Sequence, residues 1–222
     1  MIAIQPVPQE AKSRIRQANE ADILRAAEQV FARAGYGGAT MNEIAERAGL
    51  PKANLHYYFG SKQALYSAVL RDTLSAWLAG TDAITPQADP REALSRYIRA
   101  KMALTAQRPD ASRVFANELL HGAAEIGALL RGELRALVRE KARVIDGWIA
   151  QGRMAPVDST HLFFTIWAAT QTYADFETQV IAVLGKRRLA RADLERATEH
   201  VLTLVLRGCG LHADSGTLLA PA

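Results

Sequence analysis

The side chains best able to do chemistry at close quarters lie in residues 40–66, TMNEIAERAGLPKANLHYYFGSKQALY, which place His56, Tyr57, Tyr58 and Phe59 in succession. Periodicity predicts two short helices around Gly49 here. Ile44, Ala45, Ala48, Leu50, Leu55 and Phe59 face inward, and Lys52, Ala53, Asn54, His56 and Tyr57 remain outward on the second helix. The proportions are those of a helix-turn-helix, whose second helix fits a DNA major groove about 12 Å wide. There a lysine can bond a guanine edge and an asparagine can pair with adenine. Threonine and tyrosine hydroxyls suit phosphates. The rings divide by face: Tyr58 and Phe59 are expected in the small core, His56 and Tyr57 towards DNA. A three-helix packing module with every ring in its core or at its rim is the other reading of the same pattern.

A second group of polar side chains falls in otherwise apolar helical segments. Trp167 and Gln171 are four apart in FFTIWAATQTYADFETQ and share a face. A buried amide is costly unless both its donor and its acceptor find partners. Gln171 therefore either bonds a neighbouring backbone, meets a second subunit, or faces a ligand. Trp77 is either core or the flat wall of a binding site, and FANELLHG adds Asn117, Glu118 and His121.

Catalytic chemistry finds little support. The chain has no paired carboxylates in a defensible site, no metal-spaced His/Cys cluster and no glycine-rich phosphate loop. Cys209 and His212 could form a thiol–imidazole pair, but close to the C-terminus they make a poor catalytic site. No enzyme, cofactor or metal is expected. The single cysteine rules out an intrachain disulfide. The N-terminus lacks the pattern of a signal peptide and no apolar run could span a bilayer, so a cytoplasmic protein is expected. The 222 residues carry 27 basic and 23 acidic side chains, net +4. Residues 1–62 contain 8 basic and 6 acidic side chains, a net of only +2, so DNA binding has to rest on the motif and not on bulk charge.

The elements that must hold these residues are all helical. Helices are expected at about 19–34, 40–48, 51–59 and 61–80, with GYGG ending the first and Thr40 with Glu43 forming a capping box for the second. Others follow at 91–107, 111–121, 128–151, 159–184 and 191–206. The fold class is thus all-α. A flexible arm (1–18) precedes a helix-turn-helix domain (19–63), a larger helical bundle (64–212) for effector binding and dimerisation, and a flexible tail (213–222).

The stretch AGYGGATMNEIAERAGLPKANLHYYFGSKQALYSAVL resembles the DNA-binding segment of the TetR family of bacterial repressors. The likeness lies in the Gly-Tyr-x-x-Ala-Thr entry, the Ile-Ala-x-x-Ala-Gly turn and the Tyr-Tyr-Phe-x-Ser-Lys-x-x-Leu exit. It implies backbone contacts from Thr40, Tyr57, Tyr58 and Lys62, with Lys52, Ala53, Asn54 and His56 nearest the bases. It also implies a homodimer on a palindromic operator. The N-terminal arm offers only Lys12, Arg14 and Arg16 for a minor-groove grip. DTLSAWLA, YIRAKMALTAQRPDASRVFANELLHGA, LVREKARVIDGWIAQGRMAPVD and HLFFTIWAATQTYADF resemble a narrower subgroup, the repressors of pyrimidine utilisation that sense uracil or thymine. That resemblance makes Gln171 the partner of a ring carbonyl and its adjacent N–H, with Trp77 and Trp167 as walls and Tyr173, Asn117 and Glu118 as further contacts. The same walls would accept a drug-like or purine-derived effector. The helices at 159–184 and 191–206 are expected to pair with their mates in the dimer.

Overall fold

The computed structural model describes residues 9–211, with side chains from Arg16 onward. Eleven helices are found among these residues, and no strand. The chain divides into two compact units at Thr73/Leu74, inside a helix, about ten residues beyond the boundary expected from sequence.

In the N-terminal unit, α1 (Gln9–Gly38) begins ten residues before the expected start at Asn19, so the latter half of the predicted arm is helix. Residues 1–8 lie outside the described residues, as do the side chains of Lys12 and Arg14. The helix is interrupted at Gly35, whose φ of 67° and ψ of 174° suit a residue without Cβ. α2 (Met41–Arg47) starts at Thr40, whose Oγ1 accepts the Glu43 amide at 3.2 Å. Only half of the expected capping box forms, because the Glu43 carboxylate pairs with Arg33. After the turn at Gly49, α3 covers Lys52–Phe59, and Pro51 precedes it as N-cap. α4 (Lys62–Ala79) opens with Ser61 Oγ accepting the Ala64 amide at 3.1 Å. Ile23, Ala27, Val30, Phe31, Ile44, Leu55, Leu65 and Val69 form the core of this unit, and the Phe31 and Tyr66 rings meet edge-on at 4.9 Å. Each large aliphatic or aromatic side chain so buried contributes about 1.5–3 kcal/mol.

The C-terminal unit is built around α5 (Pro90–Gln107), which starts where Asp89 caps the Glu92 amide at 2.8 Å. A 3₁₀ turn (Gly80–Ala83), α9 (Ser159–Asp175) and α11 (Arg191–Gly208) pack on α5, while α6 (Pro109–Leu120) and α8 (Arg135–Ala150) pack on α9. Tyr97, Ile98, Trp148, Phe163, Ile166, Leu202 and Val205 fill the centre. The expected 128–151 helix appears as α7 (Gly127–Leu129), one π turn (Leu130–Leu134) and α8. The expected 159–184 helix is broken at Phe176, where φ/ψ of −117°/30° ends α9 and α10 (Glu177–Val183) restarts. Arg113 of α6 stabilises that break. It donates to the Ala174 carbonyl at 3.1 Å and pairs with Glu177, satisfying backbone that the interrupted helix leaves open. Near the end of α11, Gly210 lies so close to Ala155 that a Cβ would sit 2.8 Å from that residue's methyl group.

Candidate nucleic-acid interface and effector cavity

On α3 the division by face is clear. Leu55 is fully buried, while Lys52, Ala53, Asn54, His56 and Tyr57 are exposed, Tyr57 at 74%. Tyr58 and Phe59 are half-buried, not fully interior as expected. The Asn19 amide donates to the Tyr58 hydroxyl oxygen at 3.1 Å, which leaves that O–H free to donate elsewhere. The Arg16 guanidinium lies 5.9 Å from both the Tyr57 and the Tyr58 ring centres. His56 Nδ1 is 3.0 Å from the Gly60 carbonyl, which can only accept. Its proton therefore sits on Nδ1 in the neutral ring, and Nε2 is left outward as an acceptor. Lys62 is half-buried over the Tyr36 ring and donates to the Tyr36 and Ala39 carbonyls at 2.8 and 3.0 Å. Two of its three N–H groups thus pin α4 to the end of α1. The outcome is an exposed helix face of donors and acceptors held on a small rigid core.

In the C-terminal unit, a cavity of about 170 Å³ is lined by residues of α4, α5, α6, α9 and the π turn. Trp77, Trp167 and Gln171 all line it, as do Tyr97, Lys101 and Phe115. Trp77 is buried, with the Phe115 ring edge-on at 4.8 Å. Trp167 Nε1 donates to the Tyr97 hydroxyl oxygen at 2.7 Å, which fixes the indole plane. Burial pushes the Tyr97 phenol up to about 12, so it stays protonated.

Three residues expected at this site do not line the cavity. Asn117 is exposed and its carbonyl faces His121 Nδ1 at 2.8 Å. Glu118 is buried but accepts the Glu125 amide at 2.7 Å, bracing the loop after α6. Tyr173 packs beside the core two positions past Gln171, which rotates it away from the face that Trp167 and Gln171 share.

Lys101 also lines the cavity, and the sequence carries a signal for it. It falls on the apolar face of α5, in register with Leu94, Tyr97, Ile98 and Met102, where a charge is out of place. It is 1% exposed, and its ammonium sits 3.9 Å from the centre of the Trp77 ring. Burial brings its pKa down to about 7, with the charge of Asp175 opposing the shift. Among the described residues no group of His, Cys, Asp and Glu could hold a metal ion. Nor is any described helix long and apolar enough to cross a membrane. Cys209 is buried, with its thiol pushed up to about 11, and His212 lies outside the described residues.

Residues 23–69 match the family model for bacterial regulatory proteins of the tetR family, and residues 70–212 match the YcdC-like protein C-terminal region. The chain belongs to the TetR family. It is 43% identical over 197 residues to the HTH-type transcriptional regulator RutR of Escherichia coli K12, covering 89% of this chain and 93% of RutR. It is 30% identical over 133 residues to the HTH-type transcriptional repressor NicS of Pseudomonas putida, 60% of this chain and 62% of NicS. Among solved structures, the transcriptional regulator SCO4942 of Streptomyces coelicolor shares the fold at a TM-score of 0.67 and 24% identity, covering 87% of this chain and 99% of that one. AibR, solved with isovaleryl coenzyme A and operator DNA, shares it at 0.62 and 19%, covering 84% and 97%. As a TetR-family member the chain is a ligand-responsive, DNA-binding transcriptional regulator and not an enzyme. The exposed α3 face and the C-terminal cavity are the two features that such a regulator needs.

Proposed function

We propose that this TetR-type regulator represses transcription in the cytoplasm as a homodimer on a palindromic operator, and that a pyrimidinedione such as uracil or thymine releases it. The observation that carries the effector is the convergence of Trp77, Trp167 and Gln171 on one cavity. Its volume of about 170 Å³ falls below the roughly 300–1,000 Å³ of sites for drug-sized ligands and favours a single flat ring. The indoles supply apolar walls, and the Gln171 amide pairs with a ring carbonyl and its neighbouring N–H. The resemblance of residues 72–180 to the pyrimidine-utilisation repressors supports the same chemistry.

On the DNA side, Lys52, Ala53, Asn54 and His56 approach base edges, and Thr40, Tyr57, Tyr58 and Lys62 hold phosphates. Two such helices, about 34 Å apart, read successive major grooves. Phe164, Phe176, Val183, Leu184 and Leu204 are large apolar side chains exposed on α9, α11 and the segment between them, and supply the apolar surface for a symmetric interface. Trp77 belongs to α4, the helix whose first residues belong to the DNA-reading unit. An effector that prefers one setting of α4 shifts the operator-binding equilibrium by its differential affinity, typically 1–3 kcal/mol. The test pairs uracil calorimetry with a gel shift on promoter fragments from the protein's own genomic neighbourhood. Uracil binding that lowers operator affinity is expected. Absence of uracil binding refutes the effector, and absence of any shift at low salt refutes the regulator's proposed target.

A further inference from the structure

The outer face of the π turn and α8 carries a regularity that neither the cavity nor α3 uses. Arg131, Arg135, Arg139 and Arg143 recur at every fourth residue, and all four are exposed. Residues so spaced are neighbours on a helix surface, which makes a row of guanidiniums about 18 Å long. The opposite face of α8 buries Val138, Ala142, Ile145 and Trp148, and so holds the row outward. Elsewhere in the chain arginines at this spacing meet carboxylates, as in Arg16–Glu20, Arg96–Glu92 and Arg191–Glu195. Here arginine neighbours arginine, an arrangement that repels. Among the described residues none of the four has an ion pair or a hydrogen bond. Glu140, three positions before Arg143, pairs with Lys141 at 3.3 Å, and Asp146 accepts the Ser159 hydroxyl. The Arg131 guanidinium rests over Gly127, where no Cβ obstructs it.

A row of unpaired guanidiniums fits a polyanion, and two observations favour DNA over an acidic protein. A protein partner needs apolar or aromatic anchors at the centre of its interface, with charge kept to the rim. The large apolar side chains that the described residues expose lie on other segments, and none on the π turn or α8. What this face offers is charge alone, the sequence-independent part of DNA binding. The chain also has a use for it, because residues 1–62, which include α3, carry a net charge of only +2. A duplex presents one negative charge per about 1.7 Å of its axis, so about ten lie within the length of the row.

We propose that Arg135, Arg139 and Arg143, extended by Arg131, form a second, sequence-independent surface for duplex DNA on the C-terminal unit. The forked guanidiniums grip phosphate oxygens in pairs, which a lysine row does less well. The surface adds phosphate contacts to those of the α3 region and raises the affinity for DNA of any sequence. It does not depend on which effector fills the cavity.

The test is fluorescence anisotropy of the full chain on a labelled non-operator duplex, between about 50 and 200 mM salt. Two triple variants are compared with the wild type. R135Q/R139Q/R143Q empties the row, and R91Q/R187Q/R207Q removes the same charge from exposed arginines scattered over other segments. The row variant should lower the slope of log affinity against log salt by about 2–3 and weaken low-salt binding roughly tenfold or more. The scattered variant should keep nearly the wild-type slope. Glutamine forms helix well and the substitution removes repulsion, so the row variant should melt no lower than the wild type. Arg139→Gln alone, a milder change, should lower the slope by about 0.9. An unchanged slope in either row variant overturns the proposal. So does an equal loss in the scattered variant, which marks net charge alone. Capture of poly-L-glutamate that depends on the row, with the DNA slope unchanged, overturns it in favour of an acidic protein partner.

Discussion

The α3 face and the C-terminal cavity solve opposite problems with similar residue types. On α3 the polar groups stand in water, where each is solvated, and the fold bears almost no cost for holding them there. In the cavity, Lys101 has been taken out of water and Gln171 is half-buried. The burial of Lys101 is offset in part by the Trp77 ring, 3.9 Å from its ammonium. Exposed groups give affinity that depends on salt; desolvated ones give selectivity.

The comparison breaks most visibly at Leu55. Leu55→Asp puts a charge in the core beneath α3, and operator binding should be abolished in a gel shift while uracil calorimetry stays near wild type. Loss of both would mean that the two units do not fold independently. Gln171→Ala should do the reverse: uracil affinity falls by about 1–3 kcal/mol, and the unliganded protein holds its operator as before. Lys52→Ala should weaken operator binding by about 1 kcal/mol across sequences and lower the slope of log affinity against log salt by about one if the residue meets phosphate, whereas loss confined to one base position marks a base contact. Lys101→Met should raise the melting temperature of the unliganded protein. The sign follows from a folded-state pKa below the unfolded value. The unfolded chain binds more protons between about pH 7 and the ordinary lysine range, so wild-type stability rises with pH through that window and its deficit against the variant narrows. The smallest effect belongs to Asn117→Ala, which should leave uracil affinity within about 0.5 kcal/mol of wild type.

The N-terminal unit was the more legible of the two in the sequence because its signals are local. The Gly49 turn, the Thr40 cap and the apolar spacing that buries Leu55 each act within a few residues. In the cavity, Trp167 and Gln171 were legible because they share one helical face, and Trp77 through the resemblance. Asn117 and Glu118 are polar residues in an apolar segment, but the Asn117 side chain is exposed and the Glu118 carboxylate accepts the nearby Glu125 amide, bracing the loop after α6. The break at Phe176 escaped notice because its stabilising residue, Arg113, is 63 positions away, arriving through the packing of α6 on α9. Lys101 is legible as a charge on the otherwise apolar stripe of α5.

The π turn at Leu130–Leu134 puts two leucines, Leu130 and Leu134, into the cavity wall on either side of a single widened loop of backbone. Such a turn carries one more residue than the α-helical geometry on both its flanks requires. Deleting one residue there would restore ordinary winding and withdraw a leucine from the wall while leaving Gln171, Lys101 and both indoles untouched. The ceiling of the site can thus be reshaped by a change in chain length alone, which offers descendants of this sequence a short route to a bulkier inducer.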